Sequence, residues 1–206
     1  MSYTVKELFY TLQGEGAQAG RAAVFLRLAG CNLWSGREED RASAQCRFCD
    51  TDFVGGQRFG AAETLAAAAA ALWPGHAGGG RLVVVTGGEP ALQLDDALVA
   101  ALHEAGFAIA VETNGTRPLP AGLDWICVSP KAGTGLAVQG GDEIKLVWPQ
   151  EGIDPAALEE LPFRHHFLQP KDGPDRDAHM QACVAYCLTH PRWRLSLQTH
   201  KLLGIP

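Results

Sequence analysis

A long apolar run and a concentration of basic residues are both missing from this 206-residue chain. Its most apolar stretch, the alanine-rich run 66–72, is too short for a bilayer, which takes about 20 residues to cross. Seventeen Lys and Arg against 23 Asp and Glu leave a formal net charge of −6. With no basic tail, neither nucleic acid nor an anionic membrane is an expected partner. The opening Met-Ser-Tyr-Thr-Val-Lys-Glu has no basic-then-apolar layout, so no signal peptide is expected. Charged residues are only 19% and apolar ones 47%, which excludes a disordered chain and leaves one α/β domain or two small ones. Without a secretion signal, six cysteines read as cytoplasmic thiols and not as a disulfide framework.

A further lack is more informative. Cys31, Cys46 and Cys49 stand at C-x14-C-x2-C spacing, and residues 30–60 hold no other Cys and no His. Three thiolates are one short of a closed zinc site or a fully ligated iron–sulfur cluster. A four-iron cube held by three cysteines leaves one iron open to a small molecule, and open coordination belongs to catalysis more than to scaffolding. A zinc-binding interaction protein is the competing reading, and it would want a fourth ligand near the motif. Cys127, Cys183 and Cys187 read as buried free thiols. The last two are four apart on an expected helix, which puts them on one face.

Strands and helices alternate along the chain. Expected strands are 23–29, 82–86, 107–111, 125–128, 143–147, 166–168 and 194–197. Expected helices are 61–73, 95–105, a short one at 155–160 and a longer one at 175–189, with Gly106 as a cap and 75–80 as a flexible connection. Helices between buried strands imply right-handed parallel crossovers. No helical stretch separates 111 from 125, so the fold class is a partial parallel β/α barrel of about six strands with fewer helices than strands.

Polar or glycine-bearing motifs close most of these strands. They are Thr86-Gly87-Gly88-Glu89-Pro90, Glu112-Thr113-Asn114-Gly115, Ser129-Pro130-Lys131 and Gln169-Pro170-Lys171-Asp172, with the cysteines following the first strand. Ligands of parallel α/β folds bind at the carboxyl ends of the strands. Arg27 interrupts an apolar strand. A guanidinium suits bidentate capture of a carboxylate, or else it pairs with an acid or faces solvent.

Cys46-Arg47-Phe48-Cys49 followed by Gly87-Gly88-Glu89-Pro90 resembles the radical S-adenosylmethionine superfamily. The first cysteine spacing is eleven residues longer than is usual there, an insertion at about 35–45 that a loop accommodates at little entropic cost. Within that superfamily, an ordered set resembles the 7-carboxy-7-deazaguanine synthases from about residue 9 to the end of the chain. The set is Leu12-Gln13-Gly14-Glu15-Gly16, Phe25 through Leu33, Cys49-Asp50-Thr51, Ser129-Pro130-Lys131, Gln169-Pro170 and Gln198-Thr199-His200-Lys201.

The resemblance implies a single radical enzyme domain over 1–206. Its reaction would convert 6-carboxy-5,6,7,8-tetrahydropterin to 7-carboxy-7-deazaguanine with loss of ammonia, a step toward queuosine-type 7-deazapurines. It implies a 4Fe-4S cluster on Cys31, Cys46 and Cys49, S-adenosylmethionine, and Mg2+ on Thr51, a residue that otherwise reads as a helix cap. Phe48, Cys49, Asp50, Gly87, Gly88, Glu89, Ser129, Pro130, Lys131, Gln169, Pro170, Lys171 and Asp172 would hold the cofactor, Lys131 and Lys171 being equally readable as rim charges. Leu12, Gln13, Gly14, Glu15, Arg27, Thr86, His200 and the Pro206 carboxylate would hold the pterin. Gln13 and Glu15 otherwise make a polar turn, and the tail merely packs. The implied partners are an electron donor such as flavodoxin or ferredoxin and a second copy in a homodimer. A glycyl-radical activating enzyme is the runner-up among enzymes, disfavoured by the absence of extra ferredoxin-like cysteines.

Overall fold

The strand-forming runs gather into a single sheet in the computed structural model, which describes residues 2–75 and 80–206. Its strands are β1 (Tyr3–Leu12), β2 (Ala22–Leu28), β3 (Gln57–Phe59), β4 (Arg81–Gly87), β5 (Phe107–Thr113), β6 (Trp125–Val128), β7 (Gly141–Trp148), β8 (Phe163–Pro170) and β9 (Trp193–Leu195). The helices are α1 (Ala62–Leu72), α2 (Asp96–Glu104), α3 (Arg176–Thr189) and α4 (Thr199–Leu203). Sheet order is β3-β1-β2-β4-β5-β6-β7-β8-β9, parallel from β2 to β9. This is a partial α/β barrel with fewer helices than strands. Seven strands make the parallel set, and β1 and β3 add an antiparallel edge that the sequence pattern did not announce. Of the expected connection 75–80, residues 76–79 lie outside the described residues.

Helices cover the outer face only. Val83, Val85, Ile109 and Val111 pack outward under α1 and α2, while Ile144, Leu146 and Leu168 pack near Cys183 of α3. No α-helix joins β5 to β6 or β6 to β7, and the expected helix at 155–160 is a 3-10 turn, Pro155–Leu158. The inner face starts apolar, with Ala23, Leu82, Val84 and Ala110 fully or nearly buried. Farther along the same strands it turns polar, at Arg27, Thr86 and Glu112, and β7 adds Lys145. That gradient puts chemistry at the carboxyl rim and leaves stability to the floor.

The start of α2 shows how sequence sets local structure. Asp95 Oδ1 accepts from the Leu98 amide at 2.9 Å, capping the helix, and from the Tyr3 hydroxyl at 2.7 Å. Gly106, at φ +81°, ends it as expected, its amide bonding the His103 carbonyl. Leu98 itself is fully buried between helix and sheet. Leu98→Ala is expected to lower unfolding stability by about 2–5 kcal/mol, the usual range for a core leucine truncation. Urea unfolding would show a lower midpoint with an unchanged slope.

Candidate active site

The carboxyl ends of the strands border a cleft of about 430 Å³. Cys31, Cys46 and Cys49 all line it. Cys31 follows β2 after Gly30, whose φ of +87° turns the chain, and its sulfur accepts from the Leu33 amide at 3.4 Å. Burial pushes the Cys31 thiol pKa up. Cys46 hydrogen-bonds Cys49, which pushes Cys46 up and lowers Cys49 to about 6.

Glycine is required beside the cysteines. A Cβ on Gly88 would strike the Gly30 carbonyl and come within 2.7 Å of the Cys31 Cβ. A Cβ on Gly87, at φ +149°, would strike the Leu28 carbonyl. Glu89, fully buried, braces this junction. Its carboxylate accepts from the Thr113 hydroxyl and the Asn114 amide, both at 2.7 Å, and from the Ala91 amide at 2.9 Å.

Phe48, Asp50, Ser129, Lys131, Gln169, Pro170 and Asp172 also border the cleft. Lys131 Nζ donates to Ser129 Oγ at 2.8 Å and stands 6.0 Å from the Phe48 ring centre, and burial pulls its pKa down. Three further residues expected at the cofactor, Glu89, Pro130 and Lys171, are not among those that line the cleft. Glu89 spends its carboxylate on protein donors. Pro130 is buried, with its carbonyl accepting from Gln150. The backbone of Lys171 bonds Trp148 and His179.

The expected substrate residues Leu12, Gln13, Gly14, Glu15, Arg27, Thr86, His200 and Pro206 all line the same cleft. Arg27 Nε pairs with Glu7 at 3.0 Å, and its terminal amino groups donate no hydrogen bond among the described residues. Thr51 lines the cleft with its hydroxyl 3.5 Å from Asp50, and no helix follows for it to cap. Thr11 donates to the Pro206 carbonyl oxygen at 3.0 Å, and Thr199 bonds the Gly14 carbonyl through both amide and hydroxyl. Lys201 bridges Asp50 and Asp172, each at 2.6 Å.

Sequence reasoning missed the residue at the centre of this group. Lys145 is 3% exposed and contacts Glu15 at 2.6 Å and Glu112 at 3.2 Å. Gln13 donates to the other Glu112 oxygen at 2.8 Å, and Gln198 to Glu15 at 3.1 Å. Glu143, two residues before Lys145 on β7, is buried and accepts from the Ala17 amide. The signal was present: Glu143 and Lys145 interrupt an apolar strand at a spacing of two, as Arg27 does on β2. Burial opposes charge on Glu15, but the Lys145 ammonium outweighs it and holds the carboxyl at about 2. The surrounding carboxylates likewise hold the Lys145 ammonium well above its ordinary range against the effect of burial. Cys127 and Cys183 are buried and free as expected, and Cys187 is half-buried. His165 stacks on Trp125 while His166 packs against Trp193.

Comparison with known proteins agrees with this geometry. The Radical SAM superfamily profile matches residues 41–147, and the chain belongs to that superfamily of enzymes. Over the full length of both chains it is 64% identical to the 7-carboxy-7-deazaguanine synthase of Caulobacter vibrioides and 62% identical to that of Bordetella pertussis. A crystal structure of QueE from Escherichia coli superposes with a TM-score of 0.69 at 29% identity, covering 96% of this chain and 94% of that one. Within the superfamily, the chain is a member of the 7-carboxy-7-deazaguanine synthase family.

The superfamily implies a 4Fe-4S cluster and S-adenosylmethionine. The residues present fit both: three cysteines line one cleft, and a glycine-cleared strand end lies against the first of them. Among the described residues no helix is long and apolar enough to cross a membrane.

Replacing Lys145 by Met would leave the half-buried Glu15 and Glu112 without their cation. The expected loss is about 3–5 kcal/mol of stability at neutral pH, measured by chemical unfolding. The wild-type pairing also predicts an acid limb. Glu15 is more acidic folded than unfolded, so its contribution is complete above its ordinary 4.5 and fades as pH falls through about 2. Glu15→Gln should flatten that part of the stability profile.

Proposed function

We propose that this enzyme converts 6-carboxy-5,6,7,8-tetrahydropterin to 7-carboxy-7-deazaguanine with release of ammonia. The observation that carries the reading is one cleft lined by three thiols and a pair of glycines and also by a guanidinium and by the Glu15 carboxylate that Lys145 keeps ionised. Cys31, Cys46 and Cys49 would hold the cluster, with Gly87 and Gly88 giving S-adenosylmethionine room beside it. Phe48, Asp50, Ser129, Lys131, Gln169, Pro170 and Asp172 would surround the rest of that cofactor. When bound, cluster and S-adenosylmethionine together supply a 5′-deoxyadenosyl radical, and the protein supplies orientation and exclusion of water.

The expected substrate residues match the substrate's two ends. Arg27 has its planar fork available for a carboxylate, with Glu7 fixing the stem. Glu15, kept ionised by Lys145, is an acceptor for the N–H groups of a guanidine-like pterin edge, as are Gln13, His200 and the Pro206 carboxylate beside it. Leu12, Gly14 and Thr86 complete the set. Thr51 offers an oxygen to Mg2+, a cation that uses few protein ligands and keeps several waters. One domain over 1–206, a flavodoxin- or ferredoxin-type electron donor, a homodimer and a cytoplasmic location complete the reading. Support for the last is that all six cysteines are unpaired, as in a reducing compartment.

The test is anaerobic reconstitution followed by product analysis with the carboxypterin. The parent should bind four irons and form the deazaguanine acid. Cys31→Ala should lose the cluster and all turnover, whereas Cys183→Ala should keep both. Colourless bound zinc, or no product, would overturn the reading. Arg27→Ala should weaken substrate binding by about 2–5 kcal/mol, with lysine a partial rescue, as read by equilibrium binding. Thr51→Val should blunt the rise in activity on adding Mg2+ to metal-stripped enzyme.

A further inference from the structure

The insertion between Cys31 and Cys46 reads as a charged loop from sequence, yet it is folded. Residues Glu38–Ser43 form a 3-10 turn, and the ends of the insertion are tied where the Gln45 and Cys46 amides bond the Leu33 carbonyl at 3.1 and 3.3 Å. Inside, Ser35 Oγ bonds Asp40 at 2.6 Å. Trp34, 8% exposed, donates to the Arg37 carbonyl and meets Phe53 edge-on at 5.6 Å.

Arg41 joins these parts to the second half of the cysteine motif. Its Nη1 donates to the carbonyls of Arg47 at 3.0 Å and of Cys49 at 3.1 Å. Its Nε pairs with Glu38 at 2.7 Å, and the guanidinium carbon stands 4.1 Å from the Trp34 ring centre. The carbonyls of Arg47 and Cys49 belong to a stretch outside helix and strand, so no ladder satisfies them. A planar group with five donors and a stacking face meets all of these partners at once, and an ammonium does not. The other arginines of the segment do otherwise. Arg37 is 72% exposed with only a 3.8 Å pair to Glu39, and Arg47 bonds the nearby Ala44 carbonyl.

We infer that Arg41 is a positioning residue that fixes the Cys46–Cys49 turn against the insertion, so that the turn is formed before any metal arrives. The inference rests on the proposed role of the three cysteines. A long loop between two ligands costs little to close but leaves many wrong arrangements open, and this clamp removes them.

The test uses the full chain as parent, R41Q, R41K and R37Q. Amide exchange of residues 46–51 is followed in the metal-free protein, and iron loss to a chelator is followed after anaerobic reconstitution. R41Q should exchange at 46–51 and lose iron roughly tenfold faster or more, the scale of lost hydrogen bonds to a charged group. Its thermal midpoint and the exchange of β4 and β5 should match the parent, which separates positioning from general destabilisation. R41K should fall between the two, and R37Q should behave as the parent. Parent-like exchange in R41Q, full rescue by lysine, or an equal effect of R37Q would each overturn the inference. If R41Q does not fold, R41K decides: faster exchange at 46–51 than in the parent supports the clamp and equality sinks it. A parent that binds no iron would overturn the cysteine reading instead, and the metal-free exchange would still decide the role of Arg41.

Discussion

One buried carboxylate ties the strand ends together. Glu89 has no contact with water, and its oxygens take hydrogen bonds from the strand end after β5 and from its own turn after β4. Its amide also bonds the Gly30 carbonyl, immediately before the first cysteine. Asn114 continues the connection by donating to Asn32, one residue past that cysteine, at 3.0 Å. Three loops from three strands thus share one bracket. A buried carboxylate is tolerable only when its lone pairs are filled, so the loops cannot separate without leaving it unsatisfied. Gly87 and Gly88 matter for the same reason: the bracket closes only if the backbones come closer than any side chain would allow.

The part of the cleft around Glu15 rests on a second buried charge of the other sign. Lys145 removes an ammonium from water, which is costly unless acids surround it. Glu15 comes from the loop after β1, Glu112 from β5 and Gln198 from the segment before α4, so one cation gathers parts far apart in the chain. Its effect on Glu15 is also chemical. A lone buried carboxyl would be pushed toward the neutral acid. With Lys145 adjacent it stays an ionised acceptor, the form able to take hydrogen bonds from N–H donors.

These particulars explain what was and was not legible beforehand. The rim motifs could be read because the parallel strands are continuous apolar runs that stop at glycine or polar residues. β1 could not. Tyr3 and Val5 point into the core, then a bulge between Val5 and Glu7 shifts the register, so Leu8 and Tyr10 carry the core face instead. That one-residue slip breaks the alternation by which a strand is recognised, and it turns Glu7 and Phe9 toward the cleft. β3 is three residues long with little burial, too short to leave a pattern. Glu89 was legible as important but not as structural, because sequence shows a carboxylate without showing whether protein or ligand supplies its donors. Lys145 was hidden differently: an isolated lysine in a strand usually faces solvent, and only its partners from distant segments reveal that it does not.

The tail makes the two parts mechanically one. α4 has only five residues, too few to be stable alone. It is held from outside, by Thr199 on the Gly14 carbonyl and by Lys201 between Asp50 and Asp172. Gly14 adjoins Gln13 and Glu15, and Asp50 adjoins the last cysteine. A side chain at Gly14 would collide with the His200 ring, so the absence of a Cβ there is what lets the tail seat. The exposed ion pairs of Lys201 add little stability individually. Their value is geometric: a shift of the cysteine turn must move the tail, and moving the tail disturbs the loop that carries Gln13 and Glu15. The spacing between the cysteine turn and the loop that carries Gln13 and Glu15 is therefore set by the fold, through three short contacts.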